Sequence, residues 1–436
     1  MRVNSRPYEL ELALFFCAAL AVRVFLPPPF LDLFIPYTAS SGFIAFKIHP
    51  GTYLIVVAAL FEIARSDMRA LIDMRKHAPL LILCAATAFA ALTSLAQGRT
   101  QAVGYLIDSI ICGALAGWIV TRLAPQMRQY VLVTMVALMG LNTLVSLFEY
   151  ITHNRIMPFR YNEATFRPTA FLGHPLDNGL ITLTIMMFTP ALRWPFAVRL
   201  GLMTFFLLGV FISGARASTL IACLFYLLAF IAMMRSESQR NPRTAGMVLV
   251  GVLAAVVIAP ILLMSGLADA LLYRFEGGVV DKSTMTRIDI FGVLRYISFQ
   301  ELMLGSNIDK LHMLSRVYLN NGAVESPIVM MIFQFGLVVM VVLFGAIMYS
   351  VLRMGMARHM GLLAALAFLL SANTNNVLNV KSPALSFVFA LLCVLPLKEI
   401  VAAPLAPARA PRRLRRPTDI GPRPDTTQPD APRPQT

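Results

Sequence analysis

QYVLVTMVALMGLNTLVSLFEYI, residues 129–151, runs for twenty-three residues almost without charge. A helix of that length is about 35 Å long, enough to cross a hydrocarbon core of about 30 Å. Runs of the same kind recur near 9–26, 43–64, 78–96, 101–121, 175–192, 195–213, 217–234, 245–266, 327–352, 357–372 and 382–402. The pattern predicts an all-α polytopic membrane protein of about twelve spanning helices. Composition agrees: 58% of the 436 residues are hydrophobic and 14% charged, with a mean hydropathy of +0.72. An average soluble chain is about a quarter charged, so soluble, disordered and collagenous classes are excluded.

The net charge of +15 lies in short clusters between apolar runs, which argues against a nucleic-acid partner. With the N-terminus inside, 23 of the 37 Lys and Arg fall in inner segments, as orientation by positive charge requires. Both termini are then expected in the cytoplasm, and two long loops, 152–174 and 267–326, on the outer face. Pro27, Pro28 and Pro29 follow the first run in place of a small-residue cleavage site, so it reads as an anchor. Residues 1–403 form the expected membrane domain. Residues 404–436, with PRRLRRP at 411–417, form an expected disordered basic tail. That tail suits either a topological anchor or a contact with lipid headgroups. The five cysteines sit in apolar runs without CxxC spacing, so no disulfide framework or zinc site is indicated.

No nucleotide-binding or metalloprotease motif occurs, and the inner loops are short and basic. Chemistry is therefore expected on the outer face. The loop 152–174 mixes Arg155, Arg160 and Arg167 with Phe159, Tyr161 and Phe166. Guanidinium groups offer forked donors to phosphate, and aromatic rings stack on sugars. His174 precedes Pro175 where a span begins, so it is a base or a capping residue. Arg216, in SGARAS at 213–218, opens a span and either binds an anion at a helix N-terminus or snorkels to headgroups.

The loop 267–326 is too long for a connector. Its part from Thr284 to Phe299 predicts an amphipathic helix with Ile290, Val293, Leu294 and Ile297 on one face and Arg287 and Arg295 on another. A second helical piece, 308–318, carries His312, Arg316 and Tyr318. Glu325 stands just before the tenth span, as a cap or as a general base. Scattered acids without DxD spacing indicate no metal site, and no cofactor is expected. Arginines without a metal suit a pyrophosphate leaving group.

These residues resemble the O-antigen ligases and Wzy-type polymerases of bacterial surface polysaccharide assembly. The likeness lies in GHPLDNG at 173–179, SGARAS at 213–218, Arg287 with Leu304-Gly305, and Glu325-Ser326 followed after nine residues by Gly336-Leu337. It spans roughly residues 150–350 and the twelve-span layout. Ligases of this family keep a histidine where this chain has Glu325, so a polymerase is implied before a ligase.

The resemblance implies a class C glycosyltransferase-like fold in the bacterial inner membrane. The donor would be an undecaprenyl-diphosphate-linked oligosaccharide and the product an exopolysaccharide or O-antigen chain. Partners would be membrane lipid and, further, chain-length regulator and export proteins. Arg216 and Arg287, with Arg295 and Arg167, would hold the diphosphate, and Glu325 or His174 would act as base. A metal-independent, one-step displacement would invert the anomeric centre. Two rivals remain: a lipid or polysaccharide transporter, and a glycosyltransferase using a polyprenyl-phosphate sugar with an acid such as Asp32 in the first outer loop.

Overall fold

The computed structural model describes residues 8–39, 42–66, 77–159, 166–238, 285, 288–319, 324, 326–358 and 360–395. Among them no β-strand occurs and helices account for most of the chain. The helices are α1 (Tyr8–Phe25), α2 (Pro50–Arg65), α3 (Ala78–Ala96), α4 (Thr100–Tyr105), α5 (Cys112–Arg122) and α6 (Pro125–Thr152). They continue with α7 (Pro175–Phe188), α8 (Phe196–Ile212), α9 (Arg216–Ser238), α10 (Phe299–Leu304), α11 (Ile308–Leu319) and α12 (Pro327–Phe335). The last are α13 (Leu337–Met356), α14 (Gly361–Ala372) and α15 (Ala384–Val394).

Among the described residues, five helices are long and apolar enough to cross a membrane: Ala78–Ala96, Ala102–Arg122, Pro125–Thr152, Arg216–Arg235 and Leu337–Met356. Phe196–Ile212, Gly361–Ala372 and Ala384–Val394 are shorter apolar helices. The outward faces carry exposed Leu92, Leu144, Phe148, Leu220, Leu224 and Val341. Apolar side chains exposed along such helices mark a surface made for lipid. Length, composition and this surface describe a multi-pass membrane protein.

Several expected spans take a different form. The run at 43–64 becomes helical at Pro50, because proline suits the first helical position and His49 Nδ1 accepts the Gly51 N–H there. Ile44–Lys47 ahead of it form a separate 3-10 turn. The run at 101–121 contains a π-helical turn, Leu106–Ile111, between α4 and α5. The run at 327–352 is broken at Gly336 into α12 and α13. The run at 245–266 and the tail 404–436 lie outside the described residues.

The core is built by close helix packing. Gly113 and Gly117, one turn apart on α5, let α15 approach until an added Cβ would lie 3.1 Å from Leu385 or Phe389. Small residues at such spacing are how membrane helices gain dispersion contact. Described parts of 26–39, 166–174, 213–218 and 371–383 meet, with Gly173 on Pro27 and Pro29, Gly179 on Ser213, Ser218 bonded to Ser371 and Lys381 bonded to the Tyr37 carbonyl, and they make a polar end of the bundle.

Candidate functional site

A buried ion pair anchors the polar end. Arg23 of α1 donates to Asp108 of the π-turn across 3.1 Å, and both are fully enclosed. The same carboxylate accepts the Thr52 hydroxyl, the Tyr37 hydroxyl and, at 3.1 Å, the His49 backbone N–H. His49 Nε2 in turn meets the Leu26 carbonyl at 2.7 Å. A π-turn widens the helix by one residue, and here it directs Asp108 into this cluster. Lys381 closes the cluster by donating to the carbonyls of Tyr37 (2.6 Å) and Lys47 (2.7 Å), over the Tyr37 ring. Burial pushes the Lys381 ammonium down to about 8, against the pull of the Asp108 carboxylate. The arrangement stitches the 26–50 segment to the bundle.

A second network shapes the loop 152–174. Glu149, buried at the end of α6, accepts backbone N–H groups from Ile156 (2.8 Å), Thr169 (2.8 Å) and Ala170 (2.9 Å). Ala170 lies at φ +44°, and its bond to the carboxylate offsets that strain. Asn142 donates to Asn178 at 2.7 Å and accepts from the Phe171 N–H at 3.1 Å. Asn178 reaches Ser146 at 2.8 Å, so α6, the loop and α7 are joined. Arg155 lies 3.8 Å over the Phe159 ring and donates to the Arg167 carbonyl at 3.2 Å. That arginine holds the loop's own shape. Arg167 is half-buried in the same loop.

His174 is the N-cap of α7, its Nδ1 accepting from the Leu176 N–H at 3.3 Å. His174 thus caps α7, one of the two roles its position before Pro175 suggests. Two residues of the following turn matter more. Gly179 brings α7 against the 213–218 turn so closely that a Cβ would lie 2.7 Å from Ser213 Oγ and 2.8 Å from Ala215. GHPLDNG and SGARAS are thereby in contact, and Arg216 opens α9 beside them, half-buried. Asp177, nearly buried, hydrogen-bonds Ser382.

The connection between α14 and α15, NTNNVLNVKS at 373–382, enters the same place. Ser371 bonds Ser218 at 2.7 Å, Tyr105 donates to the Leu378 carbonyl, and Asn376 donates to the Val324 carbonyl. Four asparagines between two apolar runs are a legible signal, although no sequence candidate was drawn from them.

In the larger loop, Ile290 and Val293 are buried, with Leu294 and Ile297 packed against them, as the periodicity predicts. Ile290, Val293 and Leu294 lie on a 3-10 helix, Ile290–Tyr296, which continues from α-helical Ile288 and Asp289 within the expected helix, and Ile297 caps its end. Arg295 is exposed on it, and Tyr296 stacks on Tyr318 of α11 at 3.8 Å. Ser298 and Glu301 form a capping box at α10. Lys310 beside Glu301 holds that carboxyl down at about 2.

The Gly305 and Gly336 positions meet. Both have positive φ, +88° and +85°, and a Cβ on Gly305 would lie 2.8 Å from the Gly336 nitrogen. Arg99 donates to the carbonyls of Leu304 (3.1 Å), Gly305 (2.7 Å) and Gln334 (3.1 Å), clamping the junction. Arg287 and Glu325 lie outside the described residues. Their described neighbours are Ile288, and Val324 with Ser326, the N-cap of α12. No group of three His, Cys, Asp or Glu side chains suited to a metal occurs among the described residues.

No protein-family model matches this chain, and no curated protein matches it.

Proposed function

We propose that this protein is a membrane glycosyltransferase that polymerises undecaprenyl-diphosphate-linked oligosaccharide units into exopolysaccharide or O-antigen. The reading places that reaction on the periplasmic face of the bacterial inner membrane. One observation carries it. Stretches distant in sequence, chosen for their likeness to O-antigen ligases and polymerases, come in touching pairs: 173–179 on 213–218, and Leu304-Gly305 on Gly336. The contact of Asn376 with Val324, and of Ser218 with Ser371, links the first pair to the start of α12.

In this reading Arg216 and Arg287, helped by Arg295 and Arg167, bind the donor diphosphate and stabilise its developing charge. Glu325 or His174 takes the proton of the attacking hydroxyl, no metal takes part, and the anomeric centre inverts. Deletion should abolish the ladder of polysaccharide lengths on a gel and leave lipid-linked single units in the membrane. Purified protein should polymerise those units equally well with and without chelator. Arg216→Lys should remove most of the activity at normal expression, because an ammonium cannot replace the forked donor. Unaltered polysaccharide in the deletion strain would sink the reading.

A transporter is the second reading, favoured by the ion pair in the π-turn and by the helix break at Gly336. Ionisable groups and interrupted helices are the usual marks of transport sites. Accumulated lipid-linked units that stay inaccessible to an externally added glycosidase would support it against the polymerase.

A further inference from the structure

Buried carboxylates in this protein are provided with partners very unequally. Asp108 has an arginine, two hydroxyls and a backbone N–H, and Glu149 has three backbone N–H groups. Asp177 is 9% exposed, and among the described residues its one side-chain partner is the Ser382 hydroxyl. A carboxylate removed from water with a single hydroxyl partner costs folding stability and keeps lone pairs for a further donor.

The connection beside it shows the same deficit. Asn375 and Asn379 are 1% and 5% exposed, yet Asn375 Nδ2 and both amide atoms of Asn379 have no hydrogen-bond partner among the described residues. Asn376 Oδ1 is likewise without one. Buried polar atoms are almost always paired, so such a group of orphans is a place for a bound molecule. Ser382, at one end of the connection, is bonded to α7 by Asp177, and Ser371, just before its other end, is bonded to Ser218 of α9, which packs on Gly179. Primary amides donate and accept together, as sugar hydroxyls do. The nearby cation Lys381 is engaged by backbone carbonyls, so the orphan set suits a neutral polyol and not phosphate.

We propose that Asp177 and the amides of Asn375 and Asn379 form the acceptor-saccharide subsite, with Asp177, in place of Glu325 or His174, as the proton acceptor. The inference rests on the polymerase reading. The acceptor hydroxyl oxygen forms a bond to the donor's anomeric carbon, and the bond from that carbon to the diphosphate oxygen breaks. Its electron pair leaves on the diphosphate, and the hydroxyl proton passes to the Asp177 carboxylate.

The test begins in a deletion strain supplied with wild type, Asp177→Asn, or the double variant Asn375→Leu/Asn379→Leu. Polymer that survives deletion sinks both the reading and the subsite. Where deletion removes polymer, Asp177→Asn present at normal membrane levels should lower it by about 10²–10⁴-fold, the usual worth of a general base. A normal ladder from Asp177→Asn would overturn the subsite alone. A second measurement needs no variant. Free oligosaccharide, released from the lipid-linked unit by mild acid, should slow hydrogen exchange in residues 373–382 of the full-length wild-type protein. The double variant should raise KM for that oligosaccharide about tenfold, the loss of two or so hydrogen bonds, with kcat little changed. Absence of protection, or equal protection by inorganic pyrophosphate, counts against a saccharide site.

Discussion

Asp108 and Asp177 are both aspartates enclosed at the same end of the bundle, and they have opposite surroundings. Asp108 sits on a π-turn with both oxygens engaged by four donors in all, opposite Arg23. Asp177 sits on the first turn of α7 with one hydroxyl, that of Ser382, at the end of a connection in which Asn375 Nδ2 and both amide atoms of Asn379 are unpartnered among the described residues. The lesson is that burial of a charge does not identify a site. A saturated acid rigidifies the fold, because each added partner raises the cost of rearrangement. An unsaturated one leaves capacity for a ligand.

The comparison breaks most directly at Asp108. Asp108→Ala leaves Arg23 buried without its counter-charge and should cost about 3–5 kcal/mol. Thermal unfolding in detergent measures it, and the folded fraction should keep its specific activity. Activity lost from a stably folded Asp108 variant would make the ion pair functional and favour the transporter.

Glu149 sharpens the same contrast on the lock side. Glu149→Gln replaces a charged acceptor of three backbone N–H groups by a neutral amide, and should cost about 1.5–3 kcal/mol. Protease cleavage within 152–174 should quicken in that variant, since the loop owes its path to the carboxylate.

Gly179→Ala tests the contact between α7 and the 213–218 turn. The added methyl meets Ser213 Oγ and Ala215, an overpacking worth about 1–3 kcal/mol. Polymerisation should fall further than stability, because Arg216 and Asp177 lie on the two surfaces forced apart. Equal losses would reduce the contact to packing.

Lys381 gives an effect confined to alkaline pH. Its folded pKa of about 8 lies below the ordinary lysine value near 10.5, so between those values the unfolded chain binds more protons. Stability should therefore rise as pH increases from about 8 to about 10.5. Lys381→Met should flatten that part of the unfolding profile in detergent.

Helix positions were readable in the sequence because a bilayer demands long apolar runs, and runs such as 129–151 and 217–234 satisfy that demand by themselves. The apolar face of Ile290, Val293, Leu294 and Ile297 was equally readable from its period. The interruptions were harder. Gly336 lies inside an apolar run, and nothing local says that it must take φ +85° to meet Gly305. Arg23 lies near the end of the first apolar run, and its partner stands 85 residues away.

The sequence alone determined the helical class, the apolar segments and the polar stretches that resemble a polysaccharide polymerase, because these depend on composition and period. Only the tertiary structure decided that GHPLDNG touches SGARAS, that Asp108 is spent on Arg23, and that Asp177 meets Ser382 at the end of the 373–382 connection. Hydrogen-bond saturation is a property of neighbours brought together from distant parts of the chain, and no local pattern encodes it.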